Sequence, residues 1–186
     1  MIQTSQNARN SRLELNQVYF WTDTIYRWKN LIKPEKYKAL IISELRQLVE
    51  KKYIRIYGFV IMPNHIHVIW EMLKMNGREK PYASFNKATA HLIVKDLKLN
   101  HPNVLTHFKV SDNERSYRIW QRDALGVLMD SRNKLEQKLD YLHENPLQEK
   151  WQLVQSPEEY RWSSARFYED GVDGLFGFLT HYRDRM

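Results

Sequence analysis

Residues 53–72 constrain the fold most. Two runs rich in apolar and β-branched residues, 53–61 and 65–72, flank Met62-Pro63-Asn64. Proline and asparagine suit a turn, so the segment predicts two strands joined as a hairpin. The second run opens with two imidazoles, His65 and His67, separated by one apolar residue. Strand side chains alternate faces. His65 and His67 therefore share one face, and Ile66, Val68 and Trp70 share the other. Two imidazoles at this spacing can grip one metal ion from a rigid platform, although many such pairs serve only as hydrogen-bonding residues.

The flanking chain extends this hairpin into a domain. Residues 18–25, aromatic and β-branched, predict a first strand. Pro34 suits a first helical position. Tyr37, Leu40, Ile41, Leu45, Leu48 and Val49 then recur at helical spacing. After the hairpin, Ser84 can cap a second helix reaching about Leu99. Residues 117–122 predict a fourth strand. The order β-α-β-β-α-β is the ferredoxin-like, or split βαβ, arrangement of the α+β class: a four-stranded antiparallel sheet with two helices on one face. On this reading the helices cover Ile66, Val68 and Trp70, and the histidines stand on the open face.

A third helix is expected over 131–145, capped by Asp130 or Ser131 and stopped by Pro146. Leu135, Leu139 and Leu142 form its packing stripe. At about 100° per residue, Lys134, Lys138, Tyr141 and Asn145 fall together on another flank, and His143 points away from it. A turn at Ser156-Pro157 and a short helix around 162–168 follow. The expected organisation is a polar arm over 1–16, a catalytic domain over 17–146, and an extension over 147–186 packed on that domain.

Composition narrows the partners. The chain has 186 residues, a formal charge of +7 and no cysteine. Disulfides, thiolate zinc sites and cysteine nucleophiles are excluded. No apolar run approaches the length of a membrane span, the N-terminus is too polar for a signal peptide, and a cytoplasmic location is expected. The positive excess favours nucleic acid. Lys87, His91, Lys95 and Lys98 lie near one another on the second helix. With Arg122 and Lys134 they are candidate DNA contacts, and a solvated helix face is the plainer alternative for the lysine row.

The histidine pair and the tyrosine flank together suggest phosphodiester chemistry. A divalent ion on His65 and His67 could polarise a scissile phosphate. Imidazole and oxygen ligands suit Mn²⁺ and permit Mg²⁺. The amide oxygen of Asn145, one turn beyond Tyr141, is a candidate third ligand. The Tyr141 phenol is a poor nucleophile until its charge is stabilised, which Lys138, one turn back, could do while holding a phosphate oxygen.

The run Tyr57-Gly58-Phe59-Val60-Ile61-Met62-Pro63-Asn64-His65-Ile66-His67-Val68 resembles the His-hydrophobic-His segment of the single-tyrosine transposases. Trp120-Gln121-Arg122 is a further similar piece. Tyr141-Leu142-His143-Glu144-Asn145-Pro146 and Tyr160-Arg161-Trp162-Ser163-Ser164-Ala165 resemble the branch that includes the REP-associated tyrosine transposases. The resemblance implies a ferredoxin-like fold with a divalent metal on His65 and His67. It implies Tyr141 as nucleophile, and cleavage and joining of single-stranded DNA near hairpins through a 5′-phosphotyrosine. Several insertion-sequence members of the family carry a glutamine as third ligand where this chain has Asn145.

Three other readings fit the same residues, one of them a domesticated transposase that only binds hairpins. The split βαβ sheet also serves RNA-recognition modules, which stack bases on sheet aromatics, here Tyr19, Trp21, Tyr57 and Phe59. A metal phosphodiesterase would use water in place of Tyr141. Both a monomer and a homodimer that exchanges its tyrosine helices are compatible with the sequence.

Overall fold

The hairpin expected at residues 53–72 forms the centre of the sheet. The computed structural model describes residues 8–9, 13–112, 115–122, 124–171 and 176–185. The expected N-terminal arm and C-terminal extension fall partly outside the described residues, at 1–7, 10–12, 172–175 and 186. The strands are β1 (Ala8–Arg9), β2 (Val18–Thr24), β3 (Ile54–Ile61), β4 (His65–Met72), β5 (Lys109–Asp112), β6 (Arg115–Tyr117) and β7 (Leu125–Leu128). The principal helices are α1 (Glu35–Glu50), α2 (Pro81–Asn100), α3 (Pro102–Thr106), α4 (Arg132–Glu144) and α5 (Ala165–Asp170). The main sheet runs β1-β7-β2-β4-β3, antiparallel throughout, and β5 pairs with β6 apart from it. Strands β7-β2-β4-β3 with α1 and α2 make the ferredoxin-like arrangement.

The alternation of β4 works as its sequence predicts. Ile66, Val68 and Trp70 enter the core formed with Tyr37, Ile41 and Leu45 of α1 and Phe85, Ile93 and Leu97 of α2. Trp21 and Trp70 meet in this layer with ring centroids 4.8 Å apart.

The face carrying the histidines is not open. Leu135, Leu139 and Leu142 of α4 pack there on Phe20, Tyr57, Val60 and Ile69, and Tyr160 and Tyr182 join them. Polar contacts bind this cover. The Tyr160 hydroxyl donates to the Ile61 carbonyl at 2.8 Å, and the Tyr168 hydroxyl donates to the Tyr57 carbonyl at 2.5 Å. Arg185 reaches buried Glu71, which also accepts the Tyr57 hydroxyl at 2.7 Å. Apolar residues on both sheet faces demand this second cover, because an exposed apolar face loses burial energy.

Gly58 sets how closely α4 can lie. The β3–β4 register shifts between Ile56 and Gly58, so Tyr57 is an extra residue. A Cβ at Gly58 would meet the Leu139 Cδ1 at 2.6 Å and the Ser164 Oγ at 3.3 Å. A bulge with a glycine beside it therefore lets the helix approach the strand.

Two element assignments differ from expectation. The fourth strand is β7, not 117–122. Tyr117 ends β6, and Trp120 makes only an isolated bridge to Ile25. The Trp120 indole N–H donates to the Thr89 hydroxyl of α2 at 2.9 Å, so its aromatic signal reports core packing at the end of β2. The true strand has a weak signature, because Leu125 and Leu128 are exposed and Gly126 leaves room for Leu13. The second difference is at α2, which begins at Pro81. Proline fixes φ and has no N–H to satisfy there. Ser84 lies inside the helix and donates back to the Pro81 carbonyl at 3.0 Å. At α4 the expected cap is found: the Ser131 hydroxyl accepts the Lys134 N–H.

Candidate active site

Strands β2 and β4 and helix α4 bring His65, His67, Tyr141, Lys138 and Asn145 around one cavity of about 320 Å³. The two imidazole centroids lie 4.8 Å apart, and the Tyr141 ring centroid lies 5.6 Å from that of His67. Tyr141 is 42% exposed, so its ring is reachable from solvent while the histidines are buried. The Lys138 ammonium stands 5.2 Å from the Tyr141 ring centre and 5.1 Å from that of Phe20. All of these groups belong to one chain.

Both histidines are oriented through Nδ1. The Asn64 amide nitrogen donates to the Trp28 carbonyl at 3.2 Å, which turns its oxygen toward the His65 Nδ1, 2.7 Å away. An amide oxygen only accepts, so His65 carries its proton on Nδ1 and presents a lone pair on Nε2. The His67 Nδ1 lies 2.7 Å from the Thr22 hydroxyl of β2, the residue facing it across the sheet. Its Nε2 is buried without a hydrogen-bond partner, and so is the Asn145 Oδ1. The Asn145 amide nitrogen donates to the Tyr141 carbonyl at 3.4 Å.

Electrostatics keep the pair neutral. Burial, then the charge of Lys150, lowers His65 to about 4 against a partly compensating contact with the Asn145 amide. His67 lies well below the ordinary imidazole range through burial and then the neighbouring His65, Lys138 and Lys150. Neutral imidazoles are what a metal requires of histidine ligands, and Asn64 fixes the tautomer of His65. The residues present therefore fit a divalent cation held by two imidazole nitrogens and an amide oxygen. No cluster of three His, Cys, Asp or Glu side chains occurs among the described residues, so Asn145 or water would complete the ligand set.

The expected DNA contacts are dispersed. Lys134 lies one turn before Lys138 on α4, paired with Asp130 at 3.2 Å. Arg122 lines a separate basic cavity. Lys87, His91, Lys95 and Lys98 lie on α2, which packs on the opposite sheet face from the histidines. Lys87 is paired with Glu79, while His91, Lys95 and Lys98 border a groove with Val94 and Leu99. Tyr19, Trp21, Tyr57 and Phe59 are buried, which removes the exposed aromatic platform of an RNA-recognition module. Asn64, Thr22 and Lys150 belong to the site without having been singled out from the sequence. Asn64 has a visible signal, its place beside His65. Thr22 is placed by strand register and Lys150 by the chain's return after α4, and neither follows from a local pattern.

Comparison with known proteins supports the architecture. No family model matches the chain, and no curated protein matches it. A solved structure of a REP-associated tyrosine transposase bound to a REP hairpin has the same fold, with a TM-score of 0.58 and 16% sequence identity. The match covers 96% of this chain and 91% of that one. The fold resemblance inferred from the hairpin and tyrosine motifs thus extends over nearly the whole chain. Among the described residues, no helix is long and apolar enough to cross a membrane.

Proposed function

We propose that the chain is a metal-dependent tyrosine strand transferase that cuts and rejoins single-stranded DNA near hairpins. The observation that carries this reading is the Tyr141 ring, 5.6 Å from the His67 ring and beside the Lys138 ammonium. His65, His67 and Asn145 would hold Mn²⁺ or Mg²⁺, which supplies Lewis-acid polarisation of the scissile phosphate. The Tyr141 oxygen attacks phosphorus, the bond to the 3′ oxygen breaks, and the phenolic proton ends on that oxygen. Lys138 stabilises the phenolate as it forms and steadies a phosphate oxygen. The resulting 5′-phosphotyrosine preserves the energy of the diester. Attack by the 3′ hydroxyl of another strand therefore rejoins DNA without ATP. The fold shared with a transposase bound to a REP hairpin supports hairpin DNA as the substrate class, and the charge of +7 agrees with it.

The test is a denaturing gel of protein incubated with Mn²⁺ and end-labelled hairpin DNA taken from the flanks of its own gene. A denaturation-resistant adduct that disappears in Tyr141→Phe is expected. Multiple-turnover cleavage that survives Tyr141→Phe would instead establish hydrolysis by water.

A further inference from the structure

A second cavity adjoins the candidate site. It has a volume of about 550 Å³ and is lined by Tyr26, Arg27, Lys109, Arg118 and Arg122, with no carboxylate among its described lining residues. The turn Tyr26–Trp28, which follows β2, separates the two cavities. Arg27 lines the basic one and Trp28 lines the histidine site.

This turn has two unusual properties. Trp28 is 62% exposed, and both Arg27 and Trp28 have φ of 56°. The left-handed region is unfavourable for residues with a Cβ and persists where neighbours impose it. Here the Trp28 N–H donates to the Ile25 carbonyl at 2.9 Å, and the Tyr26 N–H donates to the Ile119 carbonyl at 2.7 Å. Asn64 holds the Trp28 carbonyl. The indole is thus held at the mouth of the site by fixed backbone rather than by burial. Beside it, the guanidinium groups of Arg27 and Arg118 lie 5.1 and 5.4 Å from the centre of the same Tyr26 ring. One ring therefore gathers two guanidinium groups beside the exposed indole.

We propose that the Tyr26–Trp28 turn is a clamp for single-stranded DNA. The Trp28 indole stacks on the base next to the phosphate presented to Tyr141, and the cavity of Arg27 and Lys109 takes the phosphates of the adjoining nucleotides. A flat ring accepts any unpaired base, but the faces of a paired base are already occupied by its neighbours in the duplex. The clamp therefore admits a strand only where it is unpaired. The placement beside a scissile phosphate rests on Tyr141 being the nucleophile; the binding surface does not.

Metal-free binding separates the two. Anisotropy of a fluorescent short oligothymidylate is measured over a range of KCl concentrations with wild type, Trp28→Ala, Trp28→Phe and Arg27→Gln/Lys109→Gln. Trp28→Ala weakens binding about tenfold at every salt concentration, and Trp28→Phe restores most of it. Arg27→Gln/Lys109→Gln flattens the salt dependence by about 0.7 for each phosphate no longer neutralised. Wild-type affinity and slope in these variants, no binding by wild type at low salt, or tighter binding of oligouridylate would each overturn the clamp. Losses in Trp28→Ala with full binding by Tyr141→Phe support it even if no adduct forms. If Trp28→Ala reaches half-maximal adduct at the same DNA concentration as wild type, the clamp falls and Tyr141 stands as the nucleophile.

Discussion

The Asn64 side chain accepts the His65 Nδ1 proton at 2.7 Å while its amide nitrogen donates to the Trp28 carbonyl at 3.2 Å. One amide therefore fixes both the tautomer of a candidate ligand and the turn beside the site. Asn64→Leu keeps the volume but removes both bonds. It should weaken Mn²⁺ binding by roughly ten- to a hundredfold, the usual effect of losing a residue that orients a metal-binding histidine. Isothermal titration with MnCl₂ checks this. An unchanged affinity would mean that Asn64 acts only on the backbone.

Stability of the metal-free protein should pass through a maximum near pH 7. Burial holds His65 and His143 at about 4 and His67 lower still, from an ordinary value of 6.5. As pH falls below 6.5, the unfolded chain takes up protons that these folded histidines refuse, and stability drops. Asp23 has the opposite sign. Burial raises its carboxyl from 3.8 to about 8, against bonds from the Thr24 N–H and the Asn86 amide. Between those values the folded state keeps a proton that the unfolded state has lost, so stability falls as pH rises. The two effects balance near pH 7, with the three histidines winning on the acid side and Asp23 on the alkaline side. At about 1.4 kcal/mol per pH unit, the net loss from there to pH 8 stays below about 1 kcal/mol, because the unfolded histidines still bind some protons just above 7. Denaturant unfolding across pH 4–8 measures the curve, and Asp23→Asn should flatten its alkaline side.

The parts of the fold that announced themselves were those with strong local periodicity. His65 and His67 alternate with Ile66, Val68 and Trp70, and each faces as strand geometry requires. Lys138, Tyr141 and Asn145 share a helical flank and do line one cavity. What escaped was set by partners distant in sequence. Trp120 is aromatic because it packs beneath α2, so it mimicked a strand, while β7 carries a glycine shaped by Leu13. The cover of the second sheet face was only half legible: the Leu135, Leu139 and Leu142 stripe of α4 has a helical period, but Tyr160, Tyr168 and Tyr182, which complete it, are scattered through a segment without regular period. Thr22 joined the site only through its register opposite His67.

Gly58 offers a test of how α4 positions the tyrosine. In Gly58→Ala the new methyl would sit 2.6 Å from the Leu139 Cδ1 in a buried layer. Overpacking of this kind costs about 1–3 kcal/mol, and some of the strain should appear as displacement of α4. Adduct formation should therefore fall in Gly58→Ala and recover in part when Leu139→Ala is added, although that second change leaves its own packing defect. Additive losses in the double variant would show that the two side chains do not meet.

Helix α4 delivers Tyr141 to the histidines of its own chain. The His67 and Tyr141 rings are 5.6 Å apart, and the Phe20 ring packs against both at 5.1 and 6.0 Å. Leu135, Leu139 and Leu142 bury the other side of the helix on the same sheet. Supplying the tyrosine from a second subunit would require that apolar stripe to leave its layer and be buried again on a partner. The site should therefore work within one chain. Mixing His65→Ala protein, which lacks a ligand but keeps the nucleophile, with Tyr141→Phe protein, which keeps the ligands but lacks the nucleophile, should yield no adduct on hairpin DNA in Mn²⁺. If the mixture regains activity, α4 exchanges between subunits and the arrangement within one chain is not the working form.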